Sequence, residues 1–420
     1  MPPEAEAQIR PAGSCIGDDV KQSTDRILTT HVGSLIRPVP VLEGMMAKVL
    51  GEPVDEAAFQ KSVSKGVADV VAKQAEIGID IPSDGEISKP SFHAYVIERL
   101  GGLERVPPGK GAYYAKLSDD FPGFMKQYNA MYKSMWMAPE LDPQRVKEAL
   151  AVPNASCRVV EPITYIGQED LQRDLDNYKA ALEGKDFVEA FMPSATPARD
   201  DADAGEVYSS MSDYLYALAD AMHQEYQAIV DAGFVVQLDL GLPARNQVLP
   251  GNPNPSPEDL RRASEMQVEA YNHALRGIPE DRVRYHMCWG SMNTPHTTDV
   301  PLREVIDIIL KIDAQAYVIE GANPRHEHEW MVWKDVKLPD GKILVPGVVS
   351  HQTNVVEHPE LVAWRIENFA SVVGRENIIA GTDCGFSQGW NMARVHPEVQ
   401  WAKLEALVEG AALASDRLWN

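Results

Sequence analysis

The chain has 420 residues, a formal net charge of −23, 44% hydrophobic and 24% charged residues, and four cysteines. This is ordinary globular composition, long enough for one large domain, and the charge argues against a nucleic-acid partner: phosphate binding needs a basic stripe, and here lysines and arginines are dispersed among acids. Cys15, Cys157, Cys288 and Cys384 are too few and too scattered for a disulfide framework, no run of about 18 apolar residues offers a membrane span, and the start MPPEAEAQIRPAGS is acidic where a signal peptide would be basic. The expectation is a cytoplasmic protein without a membrane partner.

Residues 1 to about 26 carry Pro, Gly, Ser and charge without an apolar period, which predicts a mobile tail ahead of a fold beginning at Ile27. Eight short apolar runs then follow: ILTTHVGS, GIDIPSDGE, FVEAFMPS, GFVVQLDLG, VRYHMCWG, QAYVIEG, ILVPGVVS and NIIAGTDCG. Between them lie stretches with helical apolar spacing, among them AAFQKSVSKGVADVVAKQAEI and MSDYLYALADAMHQEYQAIVDA. Eight strands alternating with helices predict an α/β fold, a (β/α)8 TIM barrel forming a single domain over 27–420. The run RVVEPITYIG breaks the alternation and is read as part of an insertion between the second and third strands, about Leu103 to Lys185. The insertion carries Tyr113, Tyr114, Phe121, Phe124, Tyr128, Tyr132 and Trp136, suited to an aromatic lid or, more commonly, to a subdomain core of its own.

Four residues at strand ends share one chemistry. His286 and Cys288 in RYHMCWG are two apart and so face the same way on an extended chain, with Met287 turned into packing. Glu320 in YVIEGAN follows an apolar run where an unpaired carboxylate would be costly, and Cys384 in GTDCGF ends the last strand. Imidazole, thiolate and carboxylate are ligands that zinc accepts, and a zinc-bound thiol loses its proton near neutral pH while staying nucleophilic. On a parallel barrel these positions fall on the carboxyl rim, where such folds carry their active sites.

At these residues the chain resembles the catalytic barrel of the cobalamin-independent methionine synthase superfamily, over most of residues 27 to 390. The resemblance implies that His286, Cys288, Glu320 and Cys384 are zinc ligands. It also implies that Gly33 and Ser34 of HVGSL, Glu86 of SDGE and Asp239 of VVQLDLG hold the amino acid part of homocysteine. Turn amides can receive a carboxylate, and two carboxylates can hold an ammonium. His351 in VPGVVSHQTN matches a histidine acting as general acid toward the methyl donor, with one residue gapped. His296, His326 and His328 are candidates for orienting the ligands.

The implied function is a zinc-dependent thiol alkyltransferase, methyl transfer to homocysteine sulfur being the first reading. The chain is too short for the second barrel of full-length methionine synthases, which leaves folate as donor in doubt. The single-barrel group also includes epoxyalkane:coenzyme M transferase, whose sulfonate thiol would call for a cation such as Arg37 or Lys89. A non-catalytic zinc or thiol-binding module is the non-enzyme alternative, although a mixed His, Cys and Glu set suits ligand exchange better than a closed structural site. The sequence fixes neither the alkyl donor nor whether the chain forms a homo-oligomer.

Overall fold

The structure is a computed structural model and describes residues 21–106, 115–131, 137–152, 156–198, 202–203, 206–242, 249, 252 and 255–420. Ten strands follow in chain order: β1 (Leu28–Thr29), β2 (Leu100–Val106), β3 (Ser156–Tyr165), β4 (Phe191–Ala195), β5 (Ala202–Asp203), β6 (Val235–Asp239), β7 (Val283–His286), β8 (Ala316–Ile319), β9 (Ile343–Val349) and β10 (Ile379–Thr382). Seven form one sheet in the order β1-β10-β9-β8-β7-β6-β4, with every pair parallel. Helices between the strands cover it, as parallel strands buried on both faces require.

The predicted second strand, GIDIPSDGE, is reduced to a single parallel bridge between Thr30 and Ile81. Pro82 has no N–H to donate and Gly78 and Gly85 adopt positive φ, so a ladder cannot extend along this segment. Its few bonds nonetheless reach both ends of the strand order. The amides of Asp80 and Ile81 donate to the Thr29 carbonyl at 3.2 and 3.0 Å, while Val188 and Phe191 donate to the carbonyls of Asp80 and Pro82 at 3.0 and 3.1 Å.

RVVEPITYIG forms β3, which pairs antiparallel with β2 and parallel with β5 in a separate three-stranded sheet. Of the aromatics in this region, Tyr113, Tyr114, Tyr132 and Trp136 lie outside the described residues. Phe121 and Phe124 are exposed, and Phe124 stacks on Tyr128 at 5.4 Å. Most of the predicted tail, residues 1–20, also lies outside the described residues. Packed chain starts ahead of Ile27, because Ser23 is buried with its hydroxyl donating to the Ile378 carbonyl, and Arg26 pairs with Asp80 at 2.6 Å.

Strand alternation divides the core into two layers. Leu28, Ile81, Phe191, Val235, Ala316, Val318, Ile343, Val345 and Ile379 form one cluster, and the intervening residues such as Tyr285, Tyr317 and Ile319 pack with the helices in the other. Along β7, Val283, Tyr285 and Met287 all belong to the helix-facing layer, so Arg284 and His286 take the opposite face. Arg284 lies over the Phe191 ring at 4.0 Å and donates to the Thr30 hydroxyl, a polar floor beneath the strand ends.

Candidate metal and thiol site

β7 ends at His286 and β10 at Thr382, and the turns that follow bring Cys288 and Cys384 together. One ligand atom from each of His286, Cys288 and Cys384 lies within 4.8 Å of the others. The two sulfurs are 3.8 Å apart and the cysteines are not bonded to each other. Two thiolates about 2.3 Å from one tetrahedral zinc would sit about 3.8 Å apart, so the spacing fits a shared metal. His286 is buried and neither ring nitrogen has a hydrogen-bond partner, an arrangement that is costly unless something else takes the lone pair. The Cys288 sulfur accepts the Gly290 amide at 3.2 Å, and the Gln388 amide points at the Cys384 sulfur at 3.7 Å.

Glu320, at the end of β8, lies outside that trio. Its oxygens accept from the Trp289 amide at 3.0 Å and from the Asn323 side chain at 2.9 Å, which ties the carboxylate to the turn carrying Cys288. Burial, then the proximity of Cys288 and Asp383, pushes it up to about 8. Asp383, directly after β10, braces the turn that follows β8, accepting the Gly321 and Ala322 amides at 2.8 Å each. Gly347 on β9 leaves room for it, since a Cβ there would fall 2.3 Å from the Asp383 carboxylate.

A second group of polar residues gathers around the first strand. Gly33 has φ 140°, and a Cβ on it would meet Pro193 at 2.5 Å and the Glu86 carboxylate at 3.1 Å, so only glycine lets Glu86 approach this turn. His31 fixes the turn, accepting the Gly33 amide at 3.2 Å through Nδ1 while Nε2 meets Gln74 at 2.7 Å. Ser34 packs against Gly385, directly after Cys384, and its carbonyl accepts the Phe386 amide at 2.8 Å. Glu86 and Asp239 are both buried, and neither has an ion-pair partner among the described residues. Burial raises both, Asp239 to about 7. Two such carboxylates near His286 form a cradle for a cationic group.

No family model matches the chain. Over 408 residues it is 23% identical to the uncharacterized protein YxjH of Bacillus subtilis (strain 168), spanning 93% of this chain and 95% of that one. Over 400 residues it is 22% identical to a methionine synthase of Saccharolobus solfataricus, spanning 93% and 95% of the two chains. Its fold matches a B12-independent methionine synthase from Shewanella sp. W3-18-1 solved with selenomethionine, with a TM-score of 0.65 at 17% identity over 94% of this chain and 99% of that one. The chain is thus similar over nearly its whole length to proteins named methionine synthase and shares the fold of a B12-independent one.

The remaining predicted residues divide. His351 is fully buried; Nε2 donates to the Ser291 carbonyl at 3.2 Å and Nδ1 has no partner. Burial, then Arg394, lowers its basicity well below that of an ordinary histidine, so the ring is neutral with Nδ1 as its lone-pair atom. His296 and His326 join one buried chain: Asp299 meets His296 at 2.7 Å and His326 at 3.1 Å, and His326 meets Glu329 at 2.7 Å. His326 stacks on Trp289 at 4.2 Å, beside Cys288, whereas His328 is exposed. Arg37 and Lys89 are committed elsewhere. Arg37 spends all three nitrogens on the carbonyls of Glu86, Lys89 and Ser387 and the Ser387 hydroxyl, and Lys89 donates to the Pro193 carbonyl at 2.5 Å.

Sequence reasoning missed Asp383, Gln388 and Arg394. Asp383 sits inside the same GTDCGF motif as Cys384 and was within reach of the reading; Gln388 and Arg394 carry no spacing signal. Backbone strain would have helped, had it been visible. Glu86 and His296, both at φ 54°, are the two non-glycine residues with positive φ among the described residues, and both lie in this region.

Proposed function

We propose that the protein is a zinc-dependent methyltransferase that accepts a methyl group on the sulfur of homocysteine, working as one (β/α)8 domain over 27–420 in a reducing cytoplasm. The observation that carries the reading is the His286, Cys288 and Cys384 trio together with the buried Glu86 and Asp239, which have no ion pair among the described residues. In this reading His286, Cys288 and Cys384 would hold the metal, with Glu320, tied to the turn that carries Cys288, as the fourth candidate. Bound zinc supplies the positive charge that lets a thiol ionise near neutral pH. Glu86 and Asp239 take the substrate ammonium, and the Gly33 and Ser34 turn faces its carboxylate. His351 is the residue set to meet the methyl donor: as a neutral ring it offers Nδ1 as a hydrogen-bond acceptor, and its lowered basicity makes a proton carried there readily released to the departing donor. The relatives support methyl transfer as the chemistry, because the Saccharolobus and Shewanella proteins are named methionine synthases.

Isothermal titration of the zinc-loaded protein with homocysteine and with coenzyme M, in two buffers of different ionisation enthalpy, tests the reading. Homocysteine binding with proton release is the expected result. A preference for coenzyme M would move the assignment to epoxide opening, and binding of neither thiol would overturn the proposal.

A further inference from the structure

One cation near the two sulfurs has no part in the chemistry described so far. Arg394 follows β10 in GWNMARVHP, and its amide donates to the Phe386 carbonyl at 2.9 Å, which folds it back over the turn that carries Cys384. Its Nε donates to Gln388 Oε1 at 2.5 Å, and that same Gln388 directs its amide at the Cys384 sulfur. Nη2 donates to the Ser291 hydroxyl at 2.9 Å, on the turn carrying Cys288, and the Ser291 carbonyl accepts from His351. The guanidinium therefore spans the two cysteine turns, one side chain removed from each.

Both of its partners are neutral. Arg394 has no ion pair among the described residues, in a chain of net charge −23 where many surface arginines have one, such as Arg261 with Asp307 and Arg417 with Glu360. It is half-buried, and Nη1 makes no hydrogen bond among the described residues. Of the two other cations of this region, Arg37 is buried with all three nitrogens engaged, and Lys89 is buried and donates to the Pro193 carbonyl. Ser34 packs on Gly385 of the same turn that Arg394 grips through Gln388. The Ser34 turn and the Arg394 guanidinium thus flank Cys384 together.

We infer that Arg394 is a specificity-determining residue that receives the acid group of the substrate thiol, its fork pre-oriented by Gln388 and Ser291 so that one edge is left for a carboxylate. The inference rests on the thiol-acceptor reading above and deepens it. Glu86 and Asp239 would take the ammonium end of the acceptor and Arg394 the carboxylate end, leaving the sulfur directed at the trio. A fixed guanidinium suits a planar carboxylate better than a mobile ammonium does.

The test compares L-homocysteine with 3-aminopropane-1-thiol, which keeps the thiol and the ammonium and lacks the carboxylate, titrated into zinc-loaded wild type, Arg394→Gln and Arg394→Lys. Zinc stoichiometry and thermal unfolding of each variant confirm that the cysteine turns are intact. Arg394→Gln is expected to weaken homocysteine binding about 10- to 100-fold and to change 3-aminopropane-1-thiol binding less than about twofold, with partial recovery in Arg394→Lys. Equal losses for the two thiols would show that Arg394 only braces the turns, and undiminished homocysteine binding in Arg394→Gln would remove it from the site; either result overturns the inference while leaving the acceptor reading in place. Failure of wild type to bind either thiol would overturn both.

Discussion

Two buried polar clusters sit within the same fold and differ in one respect. Around Arg99, every charge has a partner: Arg99 pairs with Asp174 and, at 3.2 Å, with Glu225, whose oxygens also accept from Tyr95 and Tyr165 at 2.7 Å each and from Ser194 at 2.8 Å. These residues come from β3, β4, the turn before β2 and the helices Gln168–Leu182 and Met211–Asp231, so the cluster rivets the small sheet to the parallel one. Around Cys288 and Cys384 the groups are equally buried but unfinished: both ring nitrogens of His286 and one oxygen of Asp383 have no hydrogen-bond partner, and Glu86 and Asp239 have no ion pair among the described residues. A satisfied network stabilises; an unsatisfied one at strand ends marks a place prepared for a ligand.

Substitutions should separate the two clusters, most sharply at the metal. Cys384→Ala is expected to lower methyl transfer more than about 100-fold, beyond what losing a mere supporting partner costs, with zinc content falling and the unfolding midpoint of the metal-free protein little changed. Full activity in that variant would remove the trio from the chemistry. Glu225→Gln leaves Arg99 with one buried counter-charge and is expected to destabilise by about 3 kcal/mol in urea unfolding, with bound zinc retained. Asp239→Asn should act in the opposite sense, raising the stability of the metal-free protein by about 1 kcal/mol while weakening homocysteine binding about tenfold or more. A destabilised Asp239→Asn protein would mean that this carboxylate, already accepting from Gln237 at 2.9 Å, is also charge-paired in the folded state. Glu329→Gln breaks the chain through His326 to Asp299 and is expected to cost about tenfold in zinc affinity, read by competition with a chelator.

A pH series gives the smallest effect. Burial alone would raise Glu225, but Arg99, Lys89 and the two tyrosine hydroxyls outweigh it and hold the carboxyl below its ordinary value of 4.5. Its folded pKa is thus depressed, so its contribution is fully present above pH 4.5 and is lost as pH falls through the folded value. Urea midpoints of wild type and Glu225→Gln should accordingly converge below that pH and stay apart at neutral pH.

Much of this was legible in the sequence because it rests on period and spacing. Seven of the eight apolar runs became strands of one parallel sheet, and the two-residue step from His286 to Cys288 put both on one side with Met287 packed behind. GIDIPSDGE, expected as the second strand, keeps only one bridge because Pro82 removes a donor that hydropathy does not register. Arg394 and Gln388 escaped the reading for another reason: their roles exist only through Ser291, about a hundred residues away in sequence, and no local pattern encodes such a contact. Arg37 and Lys89 illustrate the converse, since both looked available as cations until their backbone partners were seen.

The parallel sheet pairs Leu28 with Ile379, so the first strand of the chain waits for the last. On a ribosome, β1 would emerge long before its neighbour β10 and, until then, has only the short bridge at Ile81 to hold it. Cys384 lies five residues beyond Ile379, so the two late events coincide. A nascent chain would carry no complete trio of His286, Cys288 and Cys384 until β10 is made and can pair with β1, so assembly of the trio reports that the last strand has arrived.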